Sequence, residues 1–115
     1  MNLYSITKPL LFRLPPETAH SLVHAGLDIA EHGGLRRPLQ RALAVDDDRL
    51  EVEVFGQRFP NPVGVAAGFD KNATITGMVR GLGFGHVEVG GVTAEPQSGN
   101  ARPRMFRLVE DGGLI

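Results

Sequence analysis

The apolar positions of the chain change period partway along it. Over residues 1–14, Leu3, Ile6 and Leu10 recur at helical spacing with Tyr4 and Leu11 beside them. Pro9 is expected to end or kink that helix, because it brings no N–H and its ring crowds the preceding turn. Pro15-Pro16 followed by Glu17 marks the start of a second helix. Ala19, Leu22, Val23, Gly26, Leu27 and Ala30 predict its inner face, and Gly33-Gly34 its end. Arg36, Arg37 and Arg41 fall on a third, short helix. The N-terminal third thus reads as a helical hairpin with an apolar face. That face either packs on the rest of the domain or lies on a bilayer surface.

Helical periodicity gives way to alternation at residues 42–50, which places a domain boundary between residues 45 and 46. Asp46-Asp47-Asp48 is a solvated turn. Val52, Val54 and Phe59 alternate with Glu51, Glu53 and Arg58 around Phe55-Gly56-Gln57, predicting a two-stranded hairpin. Val63-Gly64-Val65-Ala66-Ala67 has the wholly apolar form of a strand buried on both faces. Asn72 is placed to cap a helix whose inner face is Ile75, Met78, Val79 and Leu82. His86 to Thr93 is a second strand, so the stretch forms one βαβ unit with parallel strands and a right-handed crossover. Residues 96–103 are loop, Met105 to Val109 a strand, Glu110 to Gly113 a turn, and Leu114-Ile115 the start of a further strand. One βαβ unit without a sheet to receive it is expected to belong to a larger domain.

Length and composition narrow the class. A chain of 115 residues, 42% hydrophobic and 22% charged, is neither disordered nor collagen-like nor a coiled coil. A formal charge of −1 gives no global field to hold nucleic acid. The absence of cysteine excludes disulfides, thiolate metal sites and cysteine nucleophiles. No stretch approaches the roughly 20 apolar residues of a membrane-spanning helix, so the chain is soluble or lies on a membrane. Glu17, Asp28 and Glu31 make the second helix acidic, while Lys8, Arg13, Arg36, Arg37 and Arg41 flank it with charges suited to anionic headgroups. His20 and His24 are four apart, as metal ligands often are, but no third ligand completes a site. Arg102, Arg104 and Arg107 with Phe106 interleaved read as a solvated hairpin or an anion pocket.

In α/β sheets, ligands bind beyond the carboxyl ends of the strands. Those ends are Ala66-Ala67-Gly68-Phe69-Asp70-Lys71-Asn72 and Gly90-Gly91-Val92-Thr93. Small residues leave backbone bare for a flat ring, and Lys71 near a helix mouth favours an anion. An ordinary βα turn with a solvated lysine has the same sequence. Neither GxxxxGK[ST] nor GxGxxG is present.

Three blocks in order resemble the quinone-dependent (class 2) dihydroorotate dehydrogenases. They are Asn61-Pro62-Val63-Gly64-Val65-Ala66-Ala67-Gly68-Phe69-Asp70-Lys71, then Gly83-Phe84-Gly85 with Val87-Glu88-Val89-Gly90, then Pro96 to Leu108, reading PQSGNARPRMFRL. Pro16-Glu17-Thr18-Ala19-His20 in the hairpin matches as well. The resemblance implies an α/β fold, the N-terminal part of a (β/α)8 (TIM) barrel preceded by a small helical hairpin domain. Residues 1–45 would be the membrane-associated quinone-route domain. Residues 46–115 would be a leading β-hairpin and the first βαβ unit of an FMN-binding barrel.

The implied activity is oxidation of dihydroorotate to orotate in pyrimidine (UMP) biosynthesis, with FMN as hydride acceptor and a membrane quinone as final acceptor. Peripheral association with the cytoplasmic face of the cell membrane is implied, and neither nucleic acid nor metal as a partner. By position, Ala67, Gly68, Phe69, Asp70, Lys71 and Gly91 would bind the flavin, Lys71 would also touch the substrate, and His20 and Arg107 would line the quinone route. Where the family has Gly-Thr-Val-Thr, this chain has Gly90-Gly91-Val92-Thr93, so a hydroxyl is missing at Gly91. The general-base serine is expected beyond residue 115, which leaves the chain inactive by itself. A non-catalytic α/β module that binds a partner helix or lipid through the hairpin is the alternative. A soluble class of the same flavoenzyme is a third reading.

Overall fold

The computed structural model describes residues 3–115. Residues 1 and 2 of the stretch expected as the first helix lie outside them. By their contacts the residues gather into two compact units, His24–Val92 and Met1–Val23 with Thr93–Ile115. Helix α2 contributes to both.

In the unit His24–Val92, the latter half of α2 (Pro16–His32) leads into α3 (Arg36–Leu43). The turn between them is a Schellman stop. Gly34 takes φ +77°, Leu35 N–H donates to Ala30 O at 3.0 Å, and Gly34 N–H donates to Glu31 O at 3.3 Å. The expected inner face of α2 is met only in part, at half-buried Ala19, Leu27 and Ala30. Leu22, Val23 and Gly26 are exposed, while His24, Leu27, Asp28 and Glu31, spaced as one helix face, are half-buried. Polar residues occupy that face because they meet partners there: His24 faces Asp70, and Glu31 meets Arg36 at 3.5 Å.

Strands β1 (Val52–Val54) and β2 (Gln57–Phe59) form the expected hairpin, with Val52 opposite Phe59 and Val54 opposite Gln57. Its two-residue loop places Phe55 at φ 52° and Gly56 at φ 71°, the primed turn that matches strand twist. Strands β3 (Gly64–Val65) and β4 (His86–Val87) are parallel, with α4 (Thr76–Gly81) between them, so the βαβ unit is present. Gly85 N–H to Val63 O (2.8 Å) and Glu88 N–H to Val65 O (2.9 Å) complete the ladder. The strands expected over 63–67 and 86–93 are thus two residues each. Beyond the ladder bonds at Val63 and Glu88 the flanking residues leave strand geometry, and Val92 is 99% exposed.

Ile75, Met78 and Val79 form the core, on the face of α4 that the pattern predicted. The fourth member, Leu82, is half-buried at the C-cap. Helix α4 lies against α3 closely enough that a Cβ on Gly81 would meet Arg36 O at 3.1 Å. It begins at Thr76 and its cap residue is Ile75, so Asn72 does not cap it.

The other unit holds α1 (Leu3–Leu11), the start of α2, and a hairpin of β5 (Arg107–Leu108) and β6 (Gly113–Leu114). Pro9 lies inside α1 without ending it, and Phe12 N–H still donates to Lys8 O at 2.9 Å. The helix then tightens through Arg13 N–H to Leu10 O and Leu14 N–H to Leu11 O, both 3.2 Å. The strand expected over 105–109 and the one expected at 114 are the two arms of one antiparallel hairpin. Arg107 stands opposite Leu114, and Phe106 and Ile115 exchange backbone hydrogen bonds. None of the described residues of this unit is fully buried.

Candidate functional site

The loop after β3 is held from inside by Asp70. Its carboxylate is fully buried and accepts from Thr74 N–H at 2.9 Å and Ile75 N–H at 3.0 Å. The Thr74 hydroxyl and His24 Nε2 approach the same Oδ1, each at 3.4 Å. A side chain five residues upstream thus serves the free amides before α4, the office expected of Asn72. Burial pushes the Asp70 carboxyl up, but the Ile75 and Thr74 amides and then His24 outweigh it and hold it below the usual carboxylate range. Phe69, half-buried, sets its ring 6.2 Å from that of His24.

Outside this anchor the surface is small-chained and open. Ala66, Ala67 and Gly91 are exposed, and Gly68 takes φ +100°. A Cβ on Gly68 or Gly91 would meet nothing within 4 Å. Lys71 is exposed, and among the described residues its ammonium has no ion pair. Its carbonyl accepts from Gly90 N–H at 3.1 Å, which ties the ends of β3 and β4 together. The tie requires glycine, because a Cβ at Gly90 would stand 2.6 Å from Lys71 O. A planar group can lie against bare backbone here, with an anionic substituent at Lys71.

Six of the eight predicted site residues, Ala67 to Lys71 and Gly91, therefore come together in the unit His24–Val92. His20 and Arg107 belong to the other unit. Arg107 Nη1 donates to Phe12 O and Leu14 O, both at 3.2 Å, and its guanidinium lies 4.5 Å from the Phe12 ring centroid. It thereby holds the turn that follows α1. His20 is half-buried on α2. Arg102 and Arg104 flank Glu17 at 3.8 and 3.6 Å, so the basic run meets a carboxylate of its own chain.

Sequence reasoning missed His24. Its spacing to His20 raised only a metal pair, and its partner Asp70 stands 46 residues away with no local signal. Among the described residues no group of three or more His, Asp or Glu is placed to hold a metal. No helix among them is long and apolar enough to cross a membrane.

Comparison with known proteins fits these observations. Residues 49–115 match the family model described as dihydroorotate dehydrogenase. A Natronomonas pharaonis protein named dihydroorotate dehydrogenase (quinone) is 62% identical over 115 residues, all of this chain and 33% of the relative. The protein of that name from Halobacterium salinarum is 54% identical over 113 residues, 98% of this chain and 32% of the relative. The ligand-free DHODH crystal structure from Eimeria tenella superposes with a TM-score of 0.68 at 41% identity, covering 88% of this chain and 26% of that one. The chain spans about a third of the length of these curated relatives. The α/β architecture and the motif blocks at 61–71, 83–90 and 96–108 agree with that match, and the chain belongs to the dihydroorotate dehydrogenase family.

Proposed function

We propose that this chain acts as the N-terminal part of a longer polypeptide that oxidises dihydroorotate to orotate and delivers the electrons to a membrane quinone. In this reading β3, α4 and β4 open a (β/α)8 barrel, an architecture of about 250 residues whose chemistry sits at the strand C-termini. The residues at those ends fit FMN. Exposed Ala67 and Gly91, with half-buried Gly68 next to Ala67, leave backbone open to a flat ring, and Lys71 supplies one cation beside it. FMN, when bound, supplies the hydride acceptor. The chain's own part is positional. Asp70 fixes the turn from inside, the Lys71–Gly90 bond joins the two strand ends, and the Lys71 ammonium pairs with an anionic group of flavin or substrate.

The N-terminal segment supports the quinone half of the reaction. Tyr4, Ile6 and Leu10 on α1 and Phe12 just after it are exposed, as are Leu22 and Val23 on α2, with Lys8 and Arg13 beside them. Apolar exposure next to basic residues suits peripheral attachment at the cytoplasmic face of a membrane. His20 and Arg107 would line the route by which a quinone arrives.

The observation that carries the proposal is the open, small-chained ledge ending in Lys71. In the full-length polypeptide, Lys71→Ala is expected to weaken both FMN and orotate binding by about tenfold or more, the scale of one lost charge-assisted contact. Titration of the apoprotein with each ligand measures it. Unchanged affinity for both, or a full-length protein that neither carries nor takes up flavin, would refute the reading. His20→Ala should slow flavin reoxidation by a soluble quinone while leaving flavin reduction by dihydroorotate intact. Equal slowing of both half-reactions would remove the hairpin from the quinone route.

A further inference from the structure

We propose that His24 is a positioning residue for the flavin loop: from α2 it donates to the buried Asp70 carboxylate and thereby sets the backbone at Lys71. The inference rests on the reading of residues 67–71 as the flavin seat and adds to it a residue outside the family motif blocks.

The geometry is one of convergence. His24 Nε2 lies 3.4 Å from Asp70 Oδ1 and 3.5 Å from the Thr74 hydroxyl, and its ring faces that of Phe69. One helix residue thus touches two members of the loop and the turn that follows them. The Asp70 side chain is 0% exposed and that of His24 is 26% exposed, so the pair is shielded at the carboxylate end. An ionised carboxylate only accepts, so the hydrogen between them sits on Nε2. The Asp70 partners from its own segment are the two amides of Thr74 and Ile75 and the Thr74 hydroxyl. His24 is the donor that reaches it from another element. A buried charge needs such partners, and losing one leaves the carboxylate to seek water by moving its backbone.

That movement cannot stay local. Lys71 follows directly in the chain, and its carbonyl is already bound to Gly90 N–H at 3.1 Å. The residue is therefore fixed from two sides, by the segment after β4 through Gly90 and by α2 through Asp70 and His24. Releasing the second tie frees the backbone that aims the ammonium.

The test uses the full-length protein and the variants His24→Leu, His24→Gln and Asp70→Asn. Three readouts are taken: FMN affinity of the apoprotein, visible circular dichroism of the bound flavin, and exchange rates of the Thr74 and Ile75 amides. His24→Leu is expected to weaken FMN binding about tenfold, to change the flavin dichroism and to speed both amides. His24→Gln, whose amide nitrogen donates to the same oxygen, should recover affinity to within about threefold of the parent. The double variant His24→Leu/Asp70→Asn should bind FMN no worse than Asp70→Asn alone, since both act through one contact. Parental FMN affinity and amide exchange in His24→Leu, or additive losses in the double variant, would overturn the proposal. If the full-length protein takes up no flavin in any form, the flavin seat fails. Faster Thr74 and Ile75 exchange in His24→Leu would still support the tie to Asp70, and unchanged exchange would reject it.

Discussion

The two compact units are held by different forces. In the unit His24–Val92, Ile75, Met78 and Val79 are buried around a carboxylate that is itself satisfied, and backbones approach until only glycine fits. In the unit of Met1–Val23 with Thr93–Ile115, no described residue is fully buried. Its elements meet through arginines: Arg107 on two carbonyls and the Phe12 ring, Arg102 and Arg104 on Glu17. Shape fixes the first unit, and charge against dipole or carboxylate fixes the second. The second unit leaves apolar groups exposed, Leu10 and Leu22 among them, and these are the ones proposed above to meet a membrane.

The contrast predicts its largest effect at Gly85. A Cβ there would collide with the backbone carbonyl of Asn61, in a segment where Gly85 N–H also bonds Val63 O. Neither group is a flexible side-chain tip, so the ladder has to move. Gly85→Ala is expected to cost the full-length protein more than about 3 kcal/mol, read as a lowered urea midpoint or loss of soluble protein. Gly26→Ala, where a Cβ meets nothing within 4 Å, should be neutral or stabilising. Both glycines lie in the unit His24–Val92, so equal outcomes would erase the distinction between its close-packed and its open positions.

The same contrast marks what the sequence made legible. Ile75, Met78 and Val79 were readable because one helical period buries one face, and the Phe55-Gly56 hairpin because its turn demands positive φ. The site residues Ala67 to Lys71 were readable because strand ends and a motif block coincide. The inner face of α2 was readable only in part, at Ala19, Leu27 and Ala30. Hydropathy assigns burial to Leu22 and Val23, whereas His24 and Glu31 turn inward once a buried carboxylate and an arginine wait 46 and 5 residues away. Periodicity carries no information about such distant partners. Strand lengths over 63–67 and 86–93 failed for a related reason, since a ladder needs a neighbour that local pattern does not supply.

A second, intermediate effect belongs to Asp70, where shape and charge meet. Its carboxyl is held below the usual range in the folded protein, because the Ile75 and Thr74 amides and His24 outweigh burial. The sign follows from linkage: a depressed folded pKa adds stability above the unfolded value of about 3.9, lost as pH falls through the folded value. Asp70→Asn should therefore cost about 2 kcal/mol near neutral pH, the scale of hydrogen bonds to a charged acceptor. The deficit relative to the parent should shrink as pH falls below the ordinary carboxylate range and through the lower folded value, as the parent's carboxylate takes up a proton. Urea midpoints across that range measure it. A deficit independent of pH would mean that the carboxylate charge contributes nothing to the turn.

The smallest effect separates the two kinds of arginine contact in the other unit. Arg107→Ala removes two hydrogen bonds to the Phe12 and Leu14 carbonyls just after α1 and the stacking on Phe12, and should lower local stability there by about 1 kcal/mol. Hydrogen exchange of the α1 amides in the full-length protein reads this without global unfolding. Arg107→Lys should not restore it, since a point charge lacks the planar fork that serves two acceptors and a ring together. Glu17→Gln, which breaks pairs at 3.6 and 3.8 Å with part-exposed arginines, should cost less, between about 0.2 and 1 kcal/mol. Salt discriminates them, because at about 1 M the Debye length falls to roughly 3 Å and a solvent-facing ion pair is screened. The Glu17→Gln difference should then vanish, while the Arg107→Ala difference persists, since carbonyl and ring contacts at close range do not depend on an opposing charge. If both differences disappear together in high salt, Arg107 is one more surface ion-pair residue, and the unit has no fixed contact of its own.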